Sequence, residues 1–152
     1  DQGFVVVVAD GPGTPGTPAW ERAMAGDMAG PALAGQVRAL DMVAEQVDVA
    51  DLTRVAIRGW SFGGYLAAHA VLERPDLFHA AVAGAPVTDF ALYDTGYTER
   101  YLGDPANRAD AYDASSLLPL AGDLRRPLLL IHGLADEADT WRHLLRRSVA
   151  HR

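Results

Sequence analysis

The chain has 152 residues, 49% of them hydrophobic, with a formal net charge of −7 and no cysteine. That length allows at most one domain, the apolar fraction suffices for a packed core, and acids spread along the chain argue against nucleic acid and anionic membrane surfaces as partners. The lack of cysteine excludes a disulfide framework and a thiolate metal site, and no apolar run approaches the ~18 residues of a membrane span.

Phe4 to Ala9 holds four consecutive valines and predicts a strand buried on both faces. Because a core strand stands so near Asp1, the chain reads as part of something longer, with no signal peptide at its head. Asp10 to Pro18 is dense in glycine and proline and predicts an irregular loop. Trp20 to Gly30 is ambiguous, compatible with a short helix broken at Gly26. Pro31 suits a helix start. From there Leu33, Val37, Leu40, Val43 and Val47 recur at spacings of three and four, which predicts an amphipathic helix. Arg54 to Arg58 predicts a strand, Gly64 to Glu73 a helix ended by Arg74-Pro75, and His79 to Ala85 a short buried strand. Val87 to Asp113 reads as loop-rich and aromatic, and Leu117 to Leu124 as a short helical piece. Pro127 to Gly133 predicts a third apolar strand. Apolar strands separated by helices give an α/β fold with a parallel sheet. Ligands bind at the carboxyl ends of such strands, where Asp10, Ser61, Pro86 and Asp136 all fall.

One stretch carries chemistry: Gly59-Trp60-Ser61-Phe62-Gly63-Gly64, between an apolar strand and a helix. Strand, Gly-x-Ser-x-Gly, helix is the arrangement of a nucleophile elbow in an α/β-hydrolase fold. Glycines two before and two after the serine are expected because the turn leaves no room for flanking side chains. The turn lifts the Ser61 hydroxyl above the strand end. It leaves the Phe62 N–H at a helix N-terminus to hold an oxyanion.

A serine nucleophile needs a base, and the base needs an acid to hold it. Asp136, in the loop after the last strand, stands where the acid belongs. Its neighbours Glu137 and Asp139 read as surface charges. Of five histidines, His69 and His79 fall on core elements and His132 supports the Asp136 loop. His143 and His151 satisfy the order Ser, Asp, His, but lie in a basic, helical-looking tail with no strand to present them. No histidine pair has metal-ligand spacing beside a carboxylate, and no cofactor is implied.

These residues resemble the prolyl oligopeptidase family of serine peptidases, especially its dipeptidyl peptidase IV branch. The elbow Gly59 to Tyr65 is similar to that branch's elbow. Ala85-Pro86-Val87-Thr88-Asp89-Phe90, followed by Tyr93 to Gly103, resembles its specificity segment. Leu130 to Asp136 resembles its acid-bearing segment. The resemblance implies cleavage after proline or alanine near a peptide's N-terminus. Ser61 would be the nucleophile, Asp136 the triad acid and the Phe62 N–H an oxyanion donor. Val87, Phe90, Tyr93 and Tyr97 would line a pocket whose aromatic faces suit a proline ring.

The chain departs from the family pattern in three places. Gly11-Pro12-Gly13 stands where the family has Gly-Arg-Gly. Ala138 stands where an asparagine is expected. The likeness breaks after Glu137. The expected organisation is therefore a partial α/β-hydrolase peptidase domain over residues 1–138, with parallel sheet and flanking helices, and a divergent tail over 139–152, shifted in frame or truncated. The family's catalytic histidine would fall past Arg152. Its upstream oxyanion tyrosine and its β-propeller would precede Asp1. The expected partner is a peptide with proline or alanine at the cleavage position. No nucleic acid or membrane partner is expected, the parent could form a homo-oligomer, and the expected compartment is the cytoplasm. Two other readings stay open: a catalytically inactive, peptide-binding pseudo-hydrolase or fragment, and a small-molecule esterase on the same fold.

Overall fold

The computed structural model describes residues 3–14 and 16–133. Its helices are α1 (Pro18–Arg22), α2 (Gly30–Gln46), α3 (Phe62–Glu73), α4 (Thr95–Leu102) and α5 (Ala109–Ser115). Single 3-10 turns lie at Phe90–Leu92 and Pro119–Asp123. The strands β1 (Ala56–Trp60), β2 (Ala80–Gly84) and β3 (Leu128–Ile131) form a parallel sheet in the order β1-β2-β3.

Side chains on a strand alternate between faces, and here the alternation decides which face is core. Ala81 and Ala83 of β2 are buried beneath α3, which packs on both β1 and β2. The intervening Val82, with Trp60, Leu129 and Ile131, lies on the exposed side. The sheet and α3 approach closely because the facing residues are small. A Cβ on Gly64 would stand 2.3 Å from the Gly84 carbonyl oxygen.

Tyr65 sits at the centre of the core on the α3 side, with no exposed surface. Its ring meets Phe90 edge-on at 4.9 Å and stacks with His69 at 6.0 Å. Its hydroxyl donates to the Ser115 carbonyl at 2.9 Å. Burial raises its pKa far above the ordinary phenol value, so the group stays a neutral donor. Tyr65→Phe leaves that carbonyl unpaired in the core and should lower stability by about 1–2 kcal/mol. Urea unfolding followed by circular dichroism measures this. An unchanged midpoint would mean that another donor replaces the phenol.

Three expectations need correction. Phe4 to Ala9 enters no strand among the described residues, and Phe4, Val6 and Val8 are 79%, 81% and 92% exposed. Valine suits a pleated surface, but a strand exists only where a neighbour takes its N–H and C=O groups. The hydrogen bond recorded for this run is from Gln36 Nε2 to the Ala9 oxygen at 3.3 Å. Val87 to Asp113 is not mainly loop, since it folds into α4, α5 and a 3-10 turn. Asp94 starts α4 by accepting the Tyr97 N–H at 2.8 Å, and Gly103 ends it at φ 82°. The first sheet strand is displaced towards the elbow, running to Trp60 rather than stopping at Arg58.

Candidate active site

The elbow is built from β1 and α3. Ser61 has φ 55° and ψ −119°, a strained conformation for any residue with a Cβ. Its N–H donates to the Gly84 oxygen at 2.8 Å, and its carbonyl accepts the Tyr65 N–H at 2.9 Å, the first bond of α3. The serine is therefore fixed by main chain on both sides. The Phe62 N–H follows at the start of α3 and has no acceptor among the described residues. This is the group that an oxyanion would use.

The glycines divide the work differently from the sequence expectation. A Cβ on Gly59 would lie 2.1 Å from the Gly63 oxygen, so Gly59 is required. A Cβ on Gly63 would meet nothing within 4 Å. It is Gly64, three residues after the serine, that must stay bare against β2.

The neighbouring strand ends are tied to the same place. Ala85, just past β2, has φ 42°, and its N–H donates to the Ile131 oxygen of β3 at 2.7 Å. An alanine in the left-handed region has no sequence signal, and sequence reasoning missed it. Together with the Ser61–Gly84 bond, this links all three carboxyl ends.

The segment after Ala85 supplies the aromatic residues. Val87 and Phe90 are 6% and 1% exposed and belong to the main core, where Phe90 meets the Tyr65 ring. Phe62 and Tyr97 pack against that core. Tyr93, Tyr97 and Tyr101 form a ladder, with ring centroids 5.7 Å and 5.3 Å apart. Arg100 lies over the Tyr101 ring at 5.8 Å and pairs with Glu21 of α1 at 3.0 Å. The Gly26 N–H donates to the Tyr101 oxygen at 2.8 Å. α1 and the turn that follows it are thus fastened to α4, a link between distant residues that the sequence did not reveal.

Burial, with smaller contributions from Tyr101, Tyr93 and Asp94, pushes the Tyr97 phenol up to about 12 from its ordinary 10.0. The raised value means that the folded chain holds this proton after the unfolded chain has lost it. The stabilisation is complete below pH 10.0 and is lost as pH rises towards about 12. Spectrophotometric titration at the phenolate band should show one tyrosine whose late ionisation disappears in Tyr97→Phe. Loss of an ordinary phenol instead would contradict the packing.

Three of the five histidines, His69, His79 and His132, lie among the described residues. His69 is buried in the second half of α3. The His79 N–H donates to the Val55 oxygen at 2.8 Å, and its Nδ1 accepts the Val55 N–H at 3.2 Å. His132 Nδ1 lies 3.2 Å from the Gly133 oxygen. Asp136, Glu137, Asp139, His143 and His151 lie outside the described residues. Among those described, no group of three or more His, Asp or Glu side chains could hold a metal ion.

A serine held in a strained strand-to-helix turn, at the carboxyl edge of a parallel sheet flanked by helices, defines an α/β-hydrolase fold. The prolyl oligopeptidase family matches residues 1–146, and the chain belongs to that family. It is 48% identical over 105 residues to dipeptidyl peptidase 8 of Mus musculus, covering 67% of this chain and 12% of that protein. It is 37% identical over 119 residues to dipeptidyl peptidase family member 2 of Caenorhabditis elegans, covering 75% of this chain and 14% of that protein. The crystal structure of a candidate dipeptidyl aminopeptidase IV from Bacteroides ovatus superposes with a TM-score of 0.83 at 28% identity, over 88% of this chain and 19% of that one. The chain thus spans a small part of each relative's length.

Proposed function

We propose that this chain carries the nucleophile of a serine peptidase of dipeptidyl-peptidase type. The observation that carries the reading is Ser61 at φ 55° and ψ −119°, followed by the Phe62 N–H, which has no acceptor among the described residues. The Ser61 Oγ attacks the scissile carbonyl and gives its proton to a general base. The Phe62 N–H holds the oxygen that becomes negative. Collapse of the intermediate expels the amine, which takes the proton from the base, and leaves an acyl-serine. Water then releases the acid and restores Ser61. Asp136 orients the base, which comes from outside the described residues. Val87, Phe90, Tyr93 and Tyr97 shape the pocket, and the peptide carries proline or alanine before the cleaved bond. The scheme uses no metal or cofactor.

A second reading is a peptide-binding pseudo-hydrolase, in which the aromatic segment holds a peptide and no base activates Ser61. A fluorophosphonate probe separates the two readings, because it reacts only with an activated serine. Labelling at Ser61, slowed by excess Ala-Pro dipeptide, supports the peptidase. A folded chain that binds Ala-Pro yet takes no label is the binding module.

A further inference from the structure

We propose that Glu21 and Arg100 are positioning residues for the tyrosine pocket, so that α1 sets how the pocket takes proline. The inference rests on the reading of Val87, Phe90, Tyr93 and Tyr97 as that pocket, and it adds two residues that touch no substrate.

A run of contacts leads from α1 to the pocket. Arg100 donates from Nη2 to Glu21 Oε2 at 3.0 Å, across 79 positions of sequence. Its guanidinium stands 5.8 Å from the centre of the Tyr101 ring, inside the ~6 Å reach of a cation–π contact. Tyr101 meets Tyr97 at 5.3 Å, and Tyr97 meets Tyr93 edge-on at 5.7 Å. Tyr97 and Tyr101 are four residues apart on α4 and so share one side of the helix. Tyr93 is 37% exposed, and Tyr97 is the ring it leans on. Whatever orients Tyr101 therefore reaches both pocket tyrosines.

α1 is a firm base for this. Thr17 Oγ1 accepts the Trp20 N–H at 3.3 Å and starts the helix. Met24 and Met28, just beyond its end, are each 1% exposed and belong to the main core. Between them the Gly26 N–H donates to the Tyr101 oxygen at 2.8 Å, satisfying a carbonyl in the last turn of α4 that has no partner within the helix. Tyr101 is thus held by its main chain from the turn after α1, and its ring is covered by an arginine that α1 holds. A free arginine explores many rotamers, and Glu21 directs this one over the ring. The two side chains are 64% and 39% exposed, and exposed pairs add little to stability. The consequence expected is in the ligand and not in the fold. It falls on proline, whose ring lies on aromatic faces, more than on alanine, whose methyl group does not depend on them.

The test is calorimetric titration of the full 152-residue chain with Ala-Pro and with Ala-Ala. Glu21→Gln and Arg100→Gln should each bind Ala-Pro about threefold more weakly and leave Ala-Ala unchanged. Arg100→Lys keeps a cation there and should hold Ala-Pro to within about twofold of the parent chain. The double variant Glu21→Gln/Arg100→Gln should be no weaker than Arg100→Gln alone, because Glu21 acts through Arg100. Urea midpoints should be the same in all of them. Unchanged Ala-Pro affinity in Glu21→Gln overturns the proposal, as do an equal loss for Ala-Ala and losses that add in the double variant. Tyr97→Ala separates this from the pocket reading. If Tyr97→Ala weakens Ala-Pro and Glu21→Gln does not, the pocket stands and the brace is refuted. If Tyr97→Ala binds Ala-Pro as the parent does, the pocket reading itself fails and the brace with it.

Discussion

Gly59→Ala is expected to destabilise the chain by more than about 3 kcal/mol, at the upper end of what overpacking costs. The added Cβ would lie 2.1 Å from the Gly63 oxygen and 2.2 Å from its carbonyl carbon. Both are main-chain atoms in the first turn of α3. Moving them displaces Ser61 from φ 55° and breaks the Ser61–Gly84 bond that closes the elbow onto β2. Neither neighbour is the end of a flexible side chain, so no cheap relaxation exists. Gly63→Ala is the control, since its Cβ meets nothing within 4 Å. It should be neutral, or gain up to about 1 kcal/mol from helix propensity. Urea unfolding of both variants decides the matter. Equal midpoints would mean that the turn is not as tight as its geometry shows.

The second large effect concerns chemistry. Ser61→Ala should abolish fluorophosphonate labelling and lower any amide hydrolysis by a factor on the order of a millionfold, as removal of a triad serine does. Binding of Ala-Pro should persist within about twofold, because the proposed pocket is made by Tyr93, Tyr97 and the Val87 segment rather than by the hydroxyl. The variant should fold normally, since an alanine fits the same strained turn and every bond that fixes Ser61 is made by main chain. Label retained in Ser61→Ala would place the reactive group elsewhere and remove the basis for the peptidase reading. Loss of Ala-Pro binding with the fold intact would show that the hydroxyl holds the ligand as well as attacking it.

Much of the sheet was legible because its signals are local. Val55-Ala56-Ile57, Ala80 to Ala83 and Leu128 to Ile131 are continuous apolar runs bounded by turn residues, and each became a strand. The spacing of Leu33, Val37, Leu40 and Val43 placed α2, and Arg74-Pro75 ended α3 where expected. Asp94 was readable as a helix cap, but the tyrosines around it hid the helix behind an aromatic loop pattern. The serine elbow was legible in type, because strand, glycine, serine and helix follow one another within a few residues.

By itself, then, the sequence determined the three sheet strands, α2, α3, the parallel α/β class and the serine at the head of a helix, since each carries a local signal. Tertiary structure alone decided the rest. Which glycine must be bare depends on how closely α3 approaches β2, so Gly64 rather than Gly63 carries that constraint. Whether four valines make a strand depends on a partner ladder, and Phe4 to Ala9 has none among the described residues. The turn of Ala85 to φ 42° and the Glu21–Arg100 pair arise where distant segments meet. Such features follow from the packing of whole elements, and local residue pattern carries no record of them.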